Sequence, residues 1–523
     1  MGEGHRCLFP HSYSLFAIVN APPSTDTTTP SQSRTGLETT WTWLRSPPGL
    51  AWAAVLLACI ASRLATRITY IEDPDSLRFA LSVADEYDIA ALQPHFPGYP
   101  VFWAAAELFY LPTGSFSTSF SIVGGLATAG IVWALLRLRG ASLRSGEGGA
   151  IAGAVFFAPL LWLMGTRYMP DLLGTANALA ALAVLVGALF PENEDFDEEA
   201  ALAGIVLTGL LAGLRLSSLP LVIGPALWAL GRSRRPGRLV GAGMASVAVW
   251  LVPMILDTGF WTLVEVAWGQ TTGHFTEFGG TVQTESDLSR RVAGFVRGLW
   301  ADGLGAWWPG RHGLTAVVGG GVLALGGAGV RRLCRDGVFG RRRFLWIGAC
   351  AATYAVWIFF FQNVVHKSRH VLPLLPLLLV PLAVGGVALW RRGWWGRGVV
   401  GAGFAAYVAV ALVLVGQHQD PTAVAQAKTY VANQSEGEPV QVASVPLIND
   451  YLRAQQVDAR YLSVEDSADV RELRRSDAPD RKTLVVGTYA SVLKRRPDSV
   501  RTFYHNPFVN RMWPEVTVYV YDH

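Results

Sequence analysis

The sequence predicts a polytopic α-helical membrane protein with about eleven transmembrane helices and a small C-terminal extracytoplasmic α/β domain. Of the 523 residues, 51% are hydrophobic and 16% are charged, whereas about a quarter of the residues are charged in a soluble globular chain. Long apolar runs alternate with short Arg-rich loops, and this pattern ends near residue 417. The apolar excess therefore indicates surface that faces lipid.

The first 46 residues differ from the rest of the chain. They are rich in Ser, Thr and Pro, as in PPSTDTTTPSQS, and contain no apolar signal-peptide core. Such a segment buries too little apolar surface to fold. Residues 1–46 are therefore expected to form a disordered cytoplasmic leader.

The transmembrane domain is expected over residues 47–416. A helix needs roughly 17 to 22 apolar residues to cross a hydrocarbon core. Candidate spans lie near 49–66, 117–137, 148–165, 171–190, 199–214, 217–231, 239–256, 313–330, 344–361, 371–390 and 398–416. These runs give the count of about eleven.

The Arg-rich loops predict the orientation, because cytoplasmic loops retain excess positive charge. These loops are 137–144, 231–238, 331–343 and 391–398. All four fall on one side if residues 95–111 form an interfacial helix instead of a full span. The chain is then a multi-pass protein of the plasma (inner) membrane, with a cytoplasmic N-terminus and an extracytoplasmic C-terminus. The expected outer loops are 67–116, 166–170, 215–217, 257–312 and 362–370.

Residues 417–523 have a different pattern. Short runs of β-branched and aromatic residues alternate with polar helix-like stretches such as AVAQAKTYVANQ and NDYLRAQQ. This alternation is typical of a small α/β unit. The predicted strands are VQVASV, ARYLSV, TLVVGTY and VTVYVYD. We expect a soluble extracytoplasmic α/β domain here.

The first outer loop carries a helix-start signal. Asp73 followed by Pro74 fits an N-cap with proline at the first helical position. Asp73 and Asp75 are two residues apart and point in different directions on a helix, whereas Asp75 and Arg78 can share a face and pair. One interpretation is structural, with Asp73 as the cap and Asp75 at the positive end of the helix dipole. The other is catalytic.

The same loop carries a family resemblance. EDPDSLRFALSV (72–83), followed by HFPGYPVFWAAAELFYLP (95–112), resembles the first outer loop of the glycosyltransferase C superfold. The resemblance is to its protein mannosyltransferase and lipid A aminoarabinose transferase branch. It implies that Asp75 is the catalytic base and that Arg78 and Phe79 form the Arg-aromatic step. Ser76 stands where the family usually has Glu, and Asp73 could substitute for that carboxylate.

Two further motifs resemble the same family. MGTRYMPDLL (164–173) is similar to the second outer loop and implies a site role for Asp171; an N-cap on the next helix is the alternative. HKSRHVLPLLPLLLVP (366–381) is similar to the basic step before a late helix. Cationic Lys367 and Arg369 suit a phosphate group. An interfacial anchor is the alternative for these two residues.

Two single residues complete the candidate site. Arg215 interrupts an apolar hairpin at a predicted outer turn, where a buried charge is costly. His95 lies between Pro94 and Phe96 and is either the family's basic position or a turn histidine. The expected donor-phosphate ligands are thus Arg78, His95, Arg215, Lys367 and Arg369.

No metal ligands are assigned, and Asp171 would orient either the acceptor or an optional divalent cation. His274 and Glu277 are too few for a metal site. They lie in the Gly-flanked stretch 268–281, which we expect to be a mobile loop that covers a substrate.

The predicted function is that of a membrane glycosyltransferase that moves a hexosyl or pentosyl group from a polyprenyl-phosphate donor to an acceptor, with inversion. The acceptor is a lipid, a glycan or a protein, and membrane lipids surround the chain. The scattered basic residues indicate no nucleic-acid partner. The alternative is a transporter or flippase of a lipid-linked or anionic solute. A third class is an assembly subunit whose outer domain binds a partner.

Overall fold

The computed structural model describes residues 46–191, 195–336, 338–436, 440–465, 469, 482–487 and 496–522. The predicted leader, apart from Ser46, lies outside the described residues. Backbone packing divides the chain into residues 1–55 and residues 56–523. In the first part the structure describes the start of one helix, and all contacts given below belong to the second part.

The membrane part is built from helices in chain order. The first eight are α1 (Pro47–Ala65), α2 (Pro74–Ala84), α3 (Pro100–Thr113), α4 (Phe116–Arg139), α5 (Gly146–Phe156), α6 (Pro159–Met164), α7 (Asp171–Leu189) and α8 (Glu198–Arg215). The next eight are α9 (Ile223–Arg232), α10 (Pro236–Thr258), α11 (Phe260–Gly273), α12 (Leu288–Arg297), α13 (Leu314–Leu333), α14 (Val338–Phe361), α15 (Leu375–Trp390) and α16 (Trp394–Gln419). Two 3₁₀ segments, Leu216–Leu221 and Ser368–Leu374, precede α9 and α15.

The chain is a multi-pass membrane protein. Among the described residues, nine helical segments are long and apolar enough to cross a membrane. The third expected span is broken into α5 and α6 before Pro159, which lacks a backbone N–H for helical bonding. The sixth is the ten-residue helix α9. Because neither meets a span's length, the count of about eleven stays a prediction.

The spanning helices form an inner and an outer set. In α4 and α7, 78% of the residues in an apolar 18-residue stretch are buried, whereas the share in α10 and α14 is 17%. The inner helices therefore pack against protein. The outer helices expose large apolar side chains such as Val249 and Leu256, which suit contact with lipid.

Contacts between Arg-rich loops place them at one end of the bundle. Arg139 lies 3.0 Å from Asp336, which joins the loops 137–144 and 331–343. Glu198 accepts a hydrogen bond of 2.6 Å from Ser233 in the loop 231–238. Arg343 donates to the carbonyl of Phe190, beside the turn before α8. These contacts place three of the four Arg-rich loops and the turn before α8 at one end of the bundle. The side of the membrane that this end faces stays a prediction.

The C-terminal domain contains a five-stranded sheet with the order β2-β1-β3-β5-β4. The strands are β1 (Val440–Ser444), β2 (Arg460–Ser463), β3 (Lys482–Val486), β4 (Ser499–Tyr504) and β5 (Glu515–Tyr521). β1 pairs parallel with β2 and β3, and β5 pairs antiparallel with β3 and β4. Helices α17 (Ala423–Ser435) and α18 (Pro446–Arg453) complete the α/β unit. The predicted fold class, a helical membrane protein with a small C-terminal sheet domain, is confirmed.

The sheet domain contacts the loop that precedes α2. Leu77 of α2 belongs to the apolar core of the domain. The Tyr451 hydroxyl donates to the carbonyl of Ile71 at 2.6 Å, and the Thr422 hydroxyl donates to the carbonyl of Glu72 at 2.9 Å. The domain thereby fixes the backbone from which Asp73 and Asp75 project.

Candidate active site

The start of α2 forms as the Asp-Pro signal predicts. The Asp73 carboxylate accepts a hydrogen bond of 2.8 Å from the backbone N–H of Ser76, with Pro74 at the first helical position. This cap leaves Asp75 in the first helical turn, where the helix dipole favours a negative charge.

Asp75 pairs with cations from a distant part of the chain. Its Oδ2 atom lies 2.9 Å from Lys367 Nζ and 2.7 Å from Arg369 Nη2. Both cations flank Ser368, where the 3₁₀ segment before α15 begins. The three-residue spacing suggested Arg78 as the partner of Asp75. Among the described residues, Arg78 has no ion-pair partner, so this pairing is wrong.

These partners set the charge of Asp75. Burial raises the pKa of its carboxyl, but the Lys367 ammonium and the Arg369 guanidinium outweigh this and hold the pKa well below its usual range. Burial lowers the pKa of Lys367, and Asp75 offsets part of that change. Asp75 is therefore ionised at neutral pH and is held by two cations.

A cavity of about 530 Å³ opens beside this cluster. Six of the eight predicted site residues line it: Asp75, Arg78, His95, Arg215, Lys367 and Arg369. They come from four separate parts of the chain. The cavity also has apolar walls, formed by Leu216, Leu219, Pro220, Phe275, Phe278 and Trp357. One cavity therefore combines a charged end with apolar walls.

His95 enters the cavity as a neutral side chain. Burial lowers the pKa of its imidazole to about 3, and nearby Asp75 offsets part of the shift. Its Nε2 atom lies 3.2 Å from the Tyr99 hydroxyl. Its Nδ1 atom is buried and has no hydrogen-bond partner. His95 can thus offer a substrate a hydrogen bond but no positive charge at neutral pH.

Asp171 does not line the cavity but contacts two residues that do. It is the first residue of α7, and the capping position is Pro170, so the alternative of an Asp171 cap is wrong. Its Oδ1 atom lies 2.8 Å from Arg215 Nη2 and 3.9 Å from Arg369 Nε. Asp171 therefore orients two of the cations that line the cavity.

Asp73 faces away from the cavity into a second buried network. Arg167 pairs with Glu72 and lies 2.7 Å from Asp73. His418 Nε2 lies 3.3 Å from Glu72 Oε1. Burial raises the pKa of Glu72, but Arg167 and His418 overcome this and lower it to about 2. This network joins the first outer loop to the segment before α7 and to the end of α16.

Further residues line the cavity besides the predicted site residues. Tyr99 and Asn363 were not singled out from the sequence, whereas Gln270 and His274 lie in the stretch 268–281 and His370 lies in the basic run 366–370. The expected mobile loop over 268–281 is wrong, because α11 continues as a π-helical turn over His274–Phe278. His274 lies 2.9 Å from the carbonyl of Phe361, whereas Glu277 is exposed. The flanking glycines favoured the prediction of a loop, whereas this segment is a helix that forms one wall of the cavity.

The fold resembles a solved membrane protein structure. That structure is the crystal structure of ArnT from Cupriavidus metallidurans bound to undecaprenyl phosphate, with a TM-score of 0.50 and 14% identity. The match covers 92% of this chain and 98% of that chain. The chain has the glycosyltransferase C fold.

Other comparisons add less. The Archaeoglobus fulgidus oligosaccharyltransferase tethered with an acceptor peptide matches at a TM-score of 0.48 and 10% identity, over 86% of this chain and 70% of that chain. This score is too low to extend the fold assignment. No family model matches the sequence, and no curated protein matches it.

In this glycosyltransferase C fold, the charged cavity lies where the loop before α2 meets the segment before α15. Among the described residues, no three His, Cys, Asp or Glu side chains form a group that could hold a metal ion. The arrangement can hold an anion beside a carboxylate, with an apolar surface next to both.

Proposed function

We propose that this protein is a membrane glycosyltransferase that transfers a hexosyl or pentosyl group from a polyprenyl-phosphate donor to an acceptor hydroxyl. One observation carries the proposal: within the glycosyltransferase C fold, one cavity brings together Asp75 and the cations Arg78, Arg215, Lys367 and Arg369. A carboxylate for the acceptor and cations for a phosphate are the two parts that such a transfer needs.

The donor phosphate enters beside Arg78. Among the described residues this guanidinium has no carboxylate partner, so it can bind an incoming phosphate at once. Lys367 and Arg369 then turn from Asp75 Oδ2 to the phosphate, because a phosphate carries more charge and more acceptor atoms than one carboxylate oxygen. His95 donates a hydrogen bond from Nδ1.

This exchange makes Asp75 a better base. While Lys367 and Arg369 hold Asp75, its pKa stays low and it takes a proton poorly. Once the donor phosphate attracts both cations, the pKa of Asp75 rises. Donor binding therefore prepares the base before the acceptor reacts.

The transfer is a single displacement. Asp75 takes the proton of the acceptor hydroxyl while the acceptor oxygen forms a bond to the anomeric carbon. The bond from that carbon to the phosphate oxygen breaks, and the electron pair leaves with polyprenyl phosphate. Arg78, Lys367 and Arg369 stabilise the charge that develops on the phosphate. Attack opposite the leaving group inverts the anomeric configuration.

The apolar walls of the cavity suit the lipid part of the donor. Leu216 and Phe278 are 43% and 57% exposed, and they belong to the 3₁₀ segment before α9 and the π-helical turn after α11. An apolar opening of this kind accepts hydrocarbon without a desolvation penalty. Asp171 positions Arg215 and Arg369, and we propose no metal for the step.

The test is direct transfer by the purified protein. Mass analysis of envelope glycans and glycolipids from a deletion strain identifies the missing sugar and its acceptor. The purified protein is then given that sugar on polyprenyl phosphate, and the released polyprenyl phosphate and the glycosylated acceptor are measured. An unchanged envelope together with no transfer from hexosyl or pentosyl donors would exclude the proposed activity.

The transporter alternative makes a different structural demand. A path for a charged solute needs ionisable side chains at several depths of the membrane. In the described chain, the buried Asp and Glu side chains are Glu72, Asp73, Asp171 and Asp302. Glu72 and Asp73 precede α2, Asp171 begins α7, and Asp302 lies in the π-helical turn after α12. This distribution favours a reaction at one face.

A further inference from the structure

A second charged cluster lies outside the cavity. Asp302 is 2% exposed and belongs to the π-helical turn Gly298–Gly303 that follows α12. Its Oδ1 atom lies 2.9 Å from Arg311 Nη2, and its Oδ2 atom lies 3.5 Å from Arg511 Nε. Ser368 donates a hydrogen bond of 2.6 Å to the same Oδ2 atom. The cluster joins the membrane part to the C-terminal domain.

A third guanidinium approaches the cluster. Arg297 and Arg311 both lie over the ring of Phe508, at 5.2 Å and 4.3 Å from its centroid. Among the described residues, no carboxylate pairs with Arg297, and its buried Nε atom has no hydrogen-bond partner. Asp302 therefore pairs with Arg311 and Arg511, while Arg297 lies nearby over the Phe508 ring and has no carboxylate partner in the described part of the chain.

The positive charge is held in a poorly hydrated place. The side chains of Arg311 and Arg511 are 3% and 7% exposed. Burial lowers the pKa of Arg311 to about 10; Asp302 opposes this change and Arg297 adds to it. Burial likewise lowers the pKa of Arg511; Asp302 opposes this change and Arg297 adds to it. A buried cation is costly unless an anion compensates it, and here one carboxylate pairs with two buried guanidinium groups while a third cation, Arg297, stays unpaired among the described residues.

We propose that Arg297, Arg311 and Arg511 form a second anion site that binds a phosphate group. The fixed forks of guanidinium groups suit phosphate oxygens. Trp300 belongs to the same π-helical turn as Asp302, and its indole N–H donates to the carbonyl of Trp307. Tryptophan is enriched at the depth of lipid headgroups, so this turn suits the depth at which headgroup phosphates lie.

The site is distinct from the donor cavity but is connected to it. Ser368, which binds Asp302, lies between Lys367 and Arg369 in the sequence. None of Arg297, Arg311 and Arg511 lines the cavity. A phosphate here comes from a membrane lipid or from a phosphorylated acceptor. Anion binding at this cluster does not depend on the proposed transferase activity.

The test measures bound lipid on the full chain. The protein is placed in nanodiscs of phosphatidylcholine and phosphatidylglycerol, released, and examined by native mass spectrometry. We expect the wild type to retain one phosphatidylglycerol and Arg297→Gln to retain about tenfold less, because one charge-assisted contact is lost. Arg290→Gln, on the same helix, is the matched control. Arg290 is 57% exposed and pairs with Glu285, so its loss should change nothing.

A second measurement distinguishes the source of the phosphate. In nanodiscs of phosphatidylcholine alone, inorganic phosphate is added and the melting temperature is recorded for the wild type and Arg297→Gln. A phosphate-dependent rise that Arg297→Gln abolishes, without retention of phosphatidylglycerol, supports the site and assigns it to a phosphate from water or from an acceptor. If neither ligand binds in a manner that depends on Arg297, the proposal is overturned.

Discussion

The proposed role of Asp75 requires its carboxylate to accept a proton, although two cations bind that carboxylate. In the structure its carboxylate accepts from Lys367 and Arg369, and these contacts keep the pKa low. A base with a low pKa is a poor proton acceptor. The proposed exchange of both cations onto the donor phosphate removes this conflict. Asp75 then becomes basic only in the complex that can react.

Replacement of Asp75 tests the base directly. Asn keeps the size and one acceptor oxygen of Asp but cannot take a proton, so Asp75→Asn is expected to lower the transfer rate about 10²–10⁴-fold. The measurement is single-turnover transfer with saturating donor. Asp73→Asn is the matched control in the same turn of chain; it keeps an oxygen for the Ser76 cap and should reduce the rate far less. A near wild-type rate for Asp75→Asn would assign the base elsewhere.

Removal of Lys367 should change both donor binding and the pH profile. Lys367→Met loses one charge-assisted hydrogen bond worth about 1.5–3 kcal/mol, so the donor KM should rise about tenfold or more. Lys367 also lowers the pKa of Asp75 when no donor is bound. Without it that pKa rises, and the acid limb of kcat/KM moves to higher pH. An unchanged donor KM and acid limb would make Lys367 a simple interfacial anchor.

The residue types of the site could be predicted, but their pairing could not. Motif resemblance led to Asp75, Lys367 and Arg369. Nothing in a single sequence shows that Asp75 contacts a residue 292 positions away. Glu72, Arg167 and His418 were missed because each looks like an ordinary loop or helix-end residue until the fold joins them.

At the scale of elements, the apolar runs predicted the long helices well and the short ones less well. The break between α5 and α6 and the ten-residue helix α9 depend on how neighbouring helices pack, which hydropathy does not record. Strand β4 was missed because most of its residues are exposed and it therefore lacks a clear alternation. The π-helical turn His274–Phe278 was not predicted, because its flanking glycines favour a loop.

The loop before α2 is fixed from both sides, and this contact can be tested through stability. Glu72→Gln removes the carboxylate that pairs with Arg167 and His418. Breaking a buried ion pair costs about 3–5 kcal/mol. Because Asp73 still pairs with Arg167, we expect a loss near the lower end, about 3 kcal/mol, in thermal unfolding of the purified protein. Glu86→Gln, at an exposed position, is the matched control.

The same carboxylate gives a pH dependence with a defined sign. The folded-state pKa of Glu72 is about 2, below its usual value of 4.5. Its contribution to stability is therefore complete above about pH 4.5 and is lost as the pH falls towards 2. Wild type and Glu72→Gln should differ most at neutral pH and converge in acid. A constant difference at every pH would show that Glu72 acts without its charge.

At the scale of the whole molecule, charge is divided between the two ends of the bundle. The end with the loops 137–144, 231–238 and 331–343 is rich in Arg and forms surface ion pairs such as Arg238 with Glu199, at 2.6 Å. The opposite end holds the cavity, where acids and cations are buried together. Composition predicts the first feature, whereas the second needs the tertiary fold.

The membrane orientation follows from this division and is the most far-reaching prediction. Cytoplasmic loops retain positive charge, so the Arg-rich end should face the cytoplasm, and the cavity and the sheet domain should face outward. A reporter that is active only outside the cytoplasm should be active when fused after residue 417 and silent when fused within 331–343. Both fusions should be expressed at similar levels, as a blot for the reporter checks. The reversed pattern would place Asp75 and its cavity in the cytoplasm, where nucleotide-activated sugars are available. The proposed lipid-linked donor would then lose its main physical reason.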